Sequence, residues 1–385
     1  MADDWQAGGF GLYLHWPYCA AKCPYCDFNS HVTRTIDHAA WCKAYLAELD
    51  RAAAETPGRV LHSVFFGGGT PSLMDPETAA RVIDRVRHHW PCANDLEVTL
   101  EANPTSVEAD RFTAFHAAGV NRISMGIQAL NDVDLQRLGR MHSAREAMAA
   151  FDIARSTFDR VSFDLIYARQ DQTPAEWREE LTRALDLAVD HLSLYQLTIE
   201  QGTAFGDRYN AGKLRGLPDD DLGADLFEMT QDICAAHGMP AYEVSNHAAD
   251  GAQSRHNLIY WRYGDYLGIG PGAHGRLTVN GARYATESYS NPDRWLSAVS
   301  GGSGEKPRQV LTADDQASEY LLMGLRLREG ISMTRYETLK DRPLSPDRLY
   351  QMLELGMVTT QGDTLTATNQ GVRVLNAVLE ALLSD

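Results

Sequence analysis

Across the first 240 residues, short apolar runs alternate with longer amphipathic stretches, and this alternation restricts the chain more than any other feature. Strand-like runs rich in Val, Ile, Leu and Tyr fall at 11–15, 60–66, 96–101, 122–126, 161–166 and 191–197. Helical patterns occupy 37–55, 76–89, 107–117, 144–156, 174–188 and 221–237. A strand–helix–strand repeat predicts parallel strands with helices packed over them. Six units fall short of the eight that close a barrel, so the expected fold class is α/β, an open, partial (β/α)6 barrel over residues 1–240. Folds of this kind collect their active sites at the C-terminal ends of the strands, where loops and helix N-termini converge.

Composition narrows the partners. Against 35 Lys and Arg stand 52 Asp and Glu, a net charge of −17, which argues against a nucleic-acid partner or a membrane-surface binder. No stretch approaches the roughly 18 apolar residues of a membrane span. The first residues, MADDWQAGGF, are acidic where a signal peptide is basic and then apolar. The expected location is cytoplasmic. Beyond residue 240, the region 241–300 carries HNLIYW at 256–261 and GDYLGIGPGAHG at 264–275, and 300–307 (SGGSGEKP) reads as a flexible linker. Residues 308–385 read as a small, mostly helical, winged-helix-like domain, with helices at 312–328 and 347–354, a β-prone VTTQGDTLTAT and a terminal helix. From Glu305 onward 9 basic residues face 12 acidic ones, so DNA binding is not expected there.

Three of the six cysteines, Cys19, Cys23 and Cys26, crowd into eight residues directly after the first strand run. Cys42, Cys92 and Cys234 stand singly among apolar residues and read as packed thiols. In a reducing compartment such a cluster binds metal or does redox chemistry. Pro17 and Pro24 keep the segment out of a regular helix, so a loop can fold three sulfurs around one centre. Iron–sulfur cubanes take four thiolates, so three with no obvious fourth imply a [4Fe–4S] cluster with one open iron. The alternative is a zinc site completed by His15 or His31.

CxxxCxxC at the end of a first strand resembles the radical S-adenosylmethionine (SAM) superfamily. That resemblance implies that Cys19, Cys23 and Cys26 hold the cluster and that its open iron chelates SAM. Further residues follow the coproporphyrinogen III dehydrogenase-like branch. Tyr13 in YLHWP, Tyr25, Gly68, Gly69 and Thr70 in GGGTP, Glu101 in LEANP, Gln128 in GIQAL, Arg140 in LGRMH and Asp164 in SFDLIY match that branch's SAM-contacting set. Glycines after a strand admit close backbone approach, and a carboxylate at a strand end accepts from ribose hydroxyls. Each taken singly also reads as a turn or capping residue.

Within the branch, two features resemble the haem chaperones rather than the dehydrogenases. Phe28 stands where the dehydrogenases carry an extra cysteine, and only 18 residues precede Cys19. Gln170 in LIYARQDQT replaces a proline of the family pattern. HNxxYW resembles a haem-associated motif of the chaperone family, making His256, Asn257, Tyr260 and Trp261 haem candidates, with His274 a competitor for the iron. His256 also reads as a hydrogen-bonded packing unit. The resemblance implies haem as cargo, apo haem proteins as recipients and an electron donor to the cluster; a homodimer is compatible with it. The competing expectations are oxidative decarboxylation of coproporphyrinogen III and radical-SAM modification of RNA, the latter disfavoured by the acidic balance.

Overall fold

Six parallel strands, Phe10–Trp16, Leu61–Gly68, Cys92–Ala102, Arg122–Gln128, Arg160–Tyr167 and His191–Gln196, lie side by side in chain order in a computed structural model that describes residues 3–384. Their alternation has two uses. Leu12, Leu14, Val64, Phe66, Val98, Leu100, Ile123, Met125, Val161 and Phe163 are buried in one core under the helices. The residues between them, Tyr13, Phe65, Glu101, Arg122, Ser124 and Asp164, line a central cavity. The covering helices begin where local chemistry demands. Asp75 caps Pro76–His89, and capping boxes Ser143/Glu146 and Thr173/Glu176 open Ala144–Thr157 and Pro174–Leu187. The single helix expected at 107–117 is instead two, Ser106–Ala109 and Phe112–Ala118, because the chain tightens to a turn in which the Arg111 amide donates to Glu108 O.

The sheet does not stop at six strands. Asn246–Ala248 adds antiparallel to His191–Gln196 at one edge. Asp265–Ile269 adds parallel to Phe10–Trp16 at the other, followed by the hairpin His274–Val279/Ala282–Glu287 and by Gln309–Val310, eleven strands in all. The chain between those two edges carries the helix Arg255–Trp261 across the N-terminal ends of the parallel strands. There His256 Nδ1 meets Ser63 Oγ at 2.7 Å, the His256 amide donates to Glu97 at 3.2 Å, and a Cβ on Gly11 would lie 2.9 Å from Ile259. This helix closes the floor of the open barrel.

Residues 300–307 are not a flexible linker. The Gly304 amide donates to Glu48 at 3.1 Å, Glu305 bridges to Ser288 and pairs with Arg51 at 3.1 Å, and the Lys306 amide donates to Glu287 O. The glycines that suggested flexibility permit contact instead: a Cβ on Gly304 would collide with the Trp295 indole. Beyond it, helices Ala313–Gly324, Met333–Lys340 and Pro346–Glu354 pack with a three-stranded sheet, Ile331–Ser332, Val358–Gln361 and Thr364–Ala367, and with Leu375–Leu383. Leu321, Tyr336, Leu365 and Leu379 form a second core into which Tyr263 reaches from the extension.

Candidate functional site

The loop after the first strand carries Cys19, Cys23 and Cys26, all free thiols and all half-buried. It is held from three sides. The Phe205 amide donates to Pro24 O at 2.8 Å, and Pro24 packs on Gly139, whose φ of 69° and missing Cβ permit the approach. Asn29 Nδ2 donates to the carbonyls of Pro271 and Ser290 at 2.9 and 2.8 Å.

Donors converge on the sulfurs. Thr70 Oγ1 donates to Cys19 Sγ at 3.4 Å and Arg140 Nη1 to Cys23 Sγ at 3.3 Å. Burial pushes the Cys19 and Cys26 thiols up, so removing their protons requires compensating positive charge, which a bound cluster's iron and Arg140 both supply. Arg140 Nη2 also donates to Asn103 Oδ1 at 2.6 Å and to Gly126 O at 2.8 Å, while Asn103 Nδ2 donates to Thr70 Oγ1 at 3.0 Å. Asn103 thus ties the glycine turn, the arginine and two thiols into one network, a role that the LEANP motif did not reveal.

Of the two candidates for a zinc ligand, His15 has both ring nitrogens engaged. His15 Nε2 lies 2.9 Å from Asn29 O and must donate to it, leaving Nδ1 to accept from Tyr13 OH at 2.9 Å. His31 Nε2 lies 3.2 Å from Asn29 Oδ1.

Behind the loop opens a cavity of about 550 Å³. Tyr13, Gly68, Glu101 and Asp164 line it, and the Gly68 amide donates to Glu101 Oε2 at 3.1 Å. Gly68 has φ 112°, with His15 only 2.5 Å from where a Cβ would sit. Burial, then the neighbouring Asp164, raises the Glu101 carboxyl to about 8; burial raises Asp164 to about 6 against the opposing hydrogen bond of Ser193 and charge of Arg122. Gln128 takes the unusual φ of 74° at an irregularity in strand pairing, and its buried Oε1 has no donor among the described residues. Strain and an open acceptor at a strand's C-terminal end suit a residue shaped for a ligand. Tyr25 packs against Phe205 with ring centroids 6.3 Å apart at a tilt of 59°, and its hydroxyl is buried near Arg140 and the cysteines. These residues fit a thiolate-bound cluster and a polar, hydroxyl-bearing ligand.

The HNxxYW residues divide. His256, Asn257 and Tyr260 line the same cavity. His256 is 2% exposed, stacks on Phe65 with centroids 4.9 Å apart, and has both nitrogens engaged, Nδ1 with Ser63 and Nε2 with Tyr260 OH at 2.8 Å. Burial, then the charge of Arg122, lowers it to about 3. Trp261 faces away and packs with Tyr242 and Leu327 beneath the Arg326 guanidinium, 4.6 Å from its ring. His274 is exposed at the cavity rim beside Phe28, itself 57% exposed. Arg122, His191 and Ser193, not singled out from the sequence, also line the cavity.

The radical SAM superfamily profile matches residues 13–184, and the HemN C-terminal domain profile matches 311–374. The heme chaperone HemW of Escherichia coli K12 is 39% identical over 379 residues, covering 97% of this chain and 98% of that protein. The chain belongs to the HemW family. The mitochondrial radical S-adenosyl methionine domain-containing protein 1 of Bos taurus is 40% identical over 385 residues, covering 97% of this chain and 87% of its own. Among solved structures, E. coli coproporphyrinogen III oxidase (HemN), described as a radical SAM enzyme, superposes with a TM-score of 0.80 at 22% identity, over 99% of this chain and 92% of its own. That likeness establishes the fold. Radical SAM membership brings a [4Fe–4S] cluster and SAM as cofactors of this family. Among the described residues, no helix is long and apolar enough to cross a membrane.

Proposed function

We propose that this protein is a HemW-type haem chaperone, which binds haem and passes it to apo haem proteins beside a cluster-and-SAM site. The observation that carries the reading is that one cavity is lined both by the SAM-side residues Tyr13, Gly68, Glu101 and Asp164 and by the aromatic wall Phe65, His256 and Tyr260. Residues 1–240 form the SAM barrel in this assignment, 241–300 the cargo wall and 308–385 an appended domain. Cys19, Cys23 and Cys26 ligate the cluster, with Thr70 and Arg140 donating to the first two sulfurs. Tyr13, Tyr25, Gly68, Gly69, Thr70, Glu101, Gln128, Arg140 and Asp164 hold SAM. When bound, the cluster and SAM supply one-electron chemistry.

His256, Asn257 and Tyr260 serve as cavity wall, while Trp261 braces that wall from behind. The imidazole offered to the haem iron is His274, which is exposed at the rim, whereas His256 would have to break a hydrogen bond to Ser63 or Tyr260. Six free cysteines fit a reducing compartment, and the cytoplasm is the assignment made here. An external electron donor to the cluster belongs to the same reading, and sizing the reconstituted sample reads out self-association.

The test is haem titration of the anaerobically reconstituted protein, followed by Soret absorbance. Stoichiometric binding is expected, with the Soret position changed in His274→Ala and kept in His256→Ala. Absence of binding, together with conversion of coproporphyrinogen III to protoporphyrinogen IX, would replace the chaperone reading with the dehydrogenase one.

A further inference from the structure

Three arginines are under 5% exposed: Arg122, Arg169 and Arg283. Arg169 lies 2.9 Å from Asp134 and also pairs with Glu180, and Arg283 lies 3.5 Å from Asp265. Arg122 has no carboxylate within ion-pair distance among the described residues. Among the described residues its one side-chain hydrogen bond is from Nη2 to Ser162 Oγ at 2.8 Å, and its buried Nε has no partner. A guanidinium withdrawn from water without a counter-ion costs several kcal/mol, so an unpaired one on a cavity wall calls for a ligand.

A second unsatisfied group lines the same cavity. His191 is 1% exposed; its Nε2 lies 3.1 Å from Tyr242 OH and its Nδ1 has no partner among the described residues. Arg122 and His191 both sit at the start of their strands, toward the floor, whereas Glu101 and Gln128 lie near the opposite ends. Glu101 and Asp164 act on Arg122 only from beyond contact, and the protonation that burial favours in Glu101 leaves part of that positive charge uncompensated.

We propose that Arg122, with His191 beside it on the cavity wall, anchors a carboxylate of the bound ligand; on the haem reading above, on which this rests, that group is a haem propionate. The fork of a guanidinium matches a carboxylate in two hydrogen bonds, and its strength is greatest where water is excluded.

The experiment compares haem with its dimethyl ester, in which both propionates are blocked, on cluster-reconstituted, SAM-loaded wild type, Arg122→Gln and Arg122→Lys. Wild type should prefer haem to the ester by about tenfold or more, the order of one charge-assisted hydrogen bond. Arg122→Gln should abolish the preference by weakening haem alone, and Arg122→Lys should restore part of it. Equal affinity of wild type for acid and ester overturns the proposal without needing a variant. So does a preference that survives in Arg122→Gln, or an equal loss for both ligands, which would mark Arg122 as structural. Failure of wild type to bind either compound instead overturns the haem reading, and the carboxylate anchor with it.

Discussion

Glu101 should make this protein less stable as the pH rises, and replacing it should remove that dependence. Its carboxyl is half-buried on the cavity wall with Asp164 as a like-charged neighbour, and desolvation and that neighbour together outweigh the hydrogen bond it accepts from the Gly68 amide at 3.1 Å. Those surroundings move it from an ordinary 4.5 to about 8. The folded chain therefore holds a proton between those values that the unfolded chain has released, and stability falls as pH rises through that window. At about 1.4 kcal/mol for each pH unit, the full span is worth on the order of 5 kcal/mol. Glu101→Gln keeps an acceptor for Gly68 and never ionises. Urea unfolding of the cluster-free protein between pH 5 and 8 should show the variant gaining on wild type steadily, by roughly 3 kcal/mol or more at the upper end. Asp164→Asn should shrink the wild-type slope by removing the neighbour. The cost to function is the same carboxylate: Glu101→Gln should bind SAM more weakly while folding more stably. Parallel stability curves for wild type and Glu101→Gln would refute the reasoning.

Gly68→Ala combines a backbone angle of 112° with a Cβ 2.5 Å from His15, whereas Gly58→Ala has a φ of 74° and open space around it. Gly58→Ala should cost about 1 kcal/mol and Gly68→Ala about 2–4 in urea unfolding, with SAM affinity lost only in the latter. Arg140→Met removes the donor to Cys23 and the link to Asn103, so iron content and visible absorption after anaerobic reconstitution should fall; full cluster occupancy would count against the network. Glu48→Ala leaves the Gly304 amide and Arg51 without their buried acceptor, at about 1–3 kcal/mol, and should open 300–307 to limited proteolysis that wild type resists.

What was legible in the sequence was what repeats locally. The barrel strands and their helices announce themselves through periods of 2 and 3.6, and the three cysteines lie within one loop, so their spacing survives folding unchanged. The floor was illegible because it depends on Asp265 pairing with Phe10, and on one helix meeting Ser63 and Glu97, contacts that no local pattern encodes. The linker was misread because Gly and Ser signal flexibility by composition, while Gly304 is small so that Trp295 can pack against it. Arg122, Ser124, Ser162 and His191 did leave a signal: polar residues recur at every second position of strands whose other positions are apolar. In a barrel whose core is filled, those inward positions hold branched apolar side chains. A polar inner row therefore means that the interior binds something, and that the layer of Leu12, Phe66, Leu100, Met125 and Phe163 beneath the helices must stabilise the fold on its own. The same division explains why the Glu101 and Arg122 substitutions are expected to separate binding from stability, since neither side chain belongs to the layer that holds the strands to their helices.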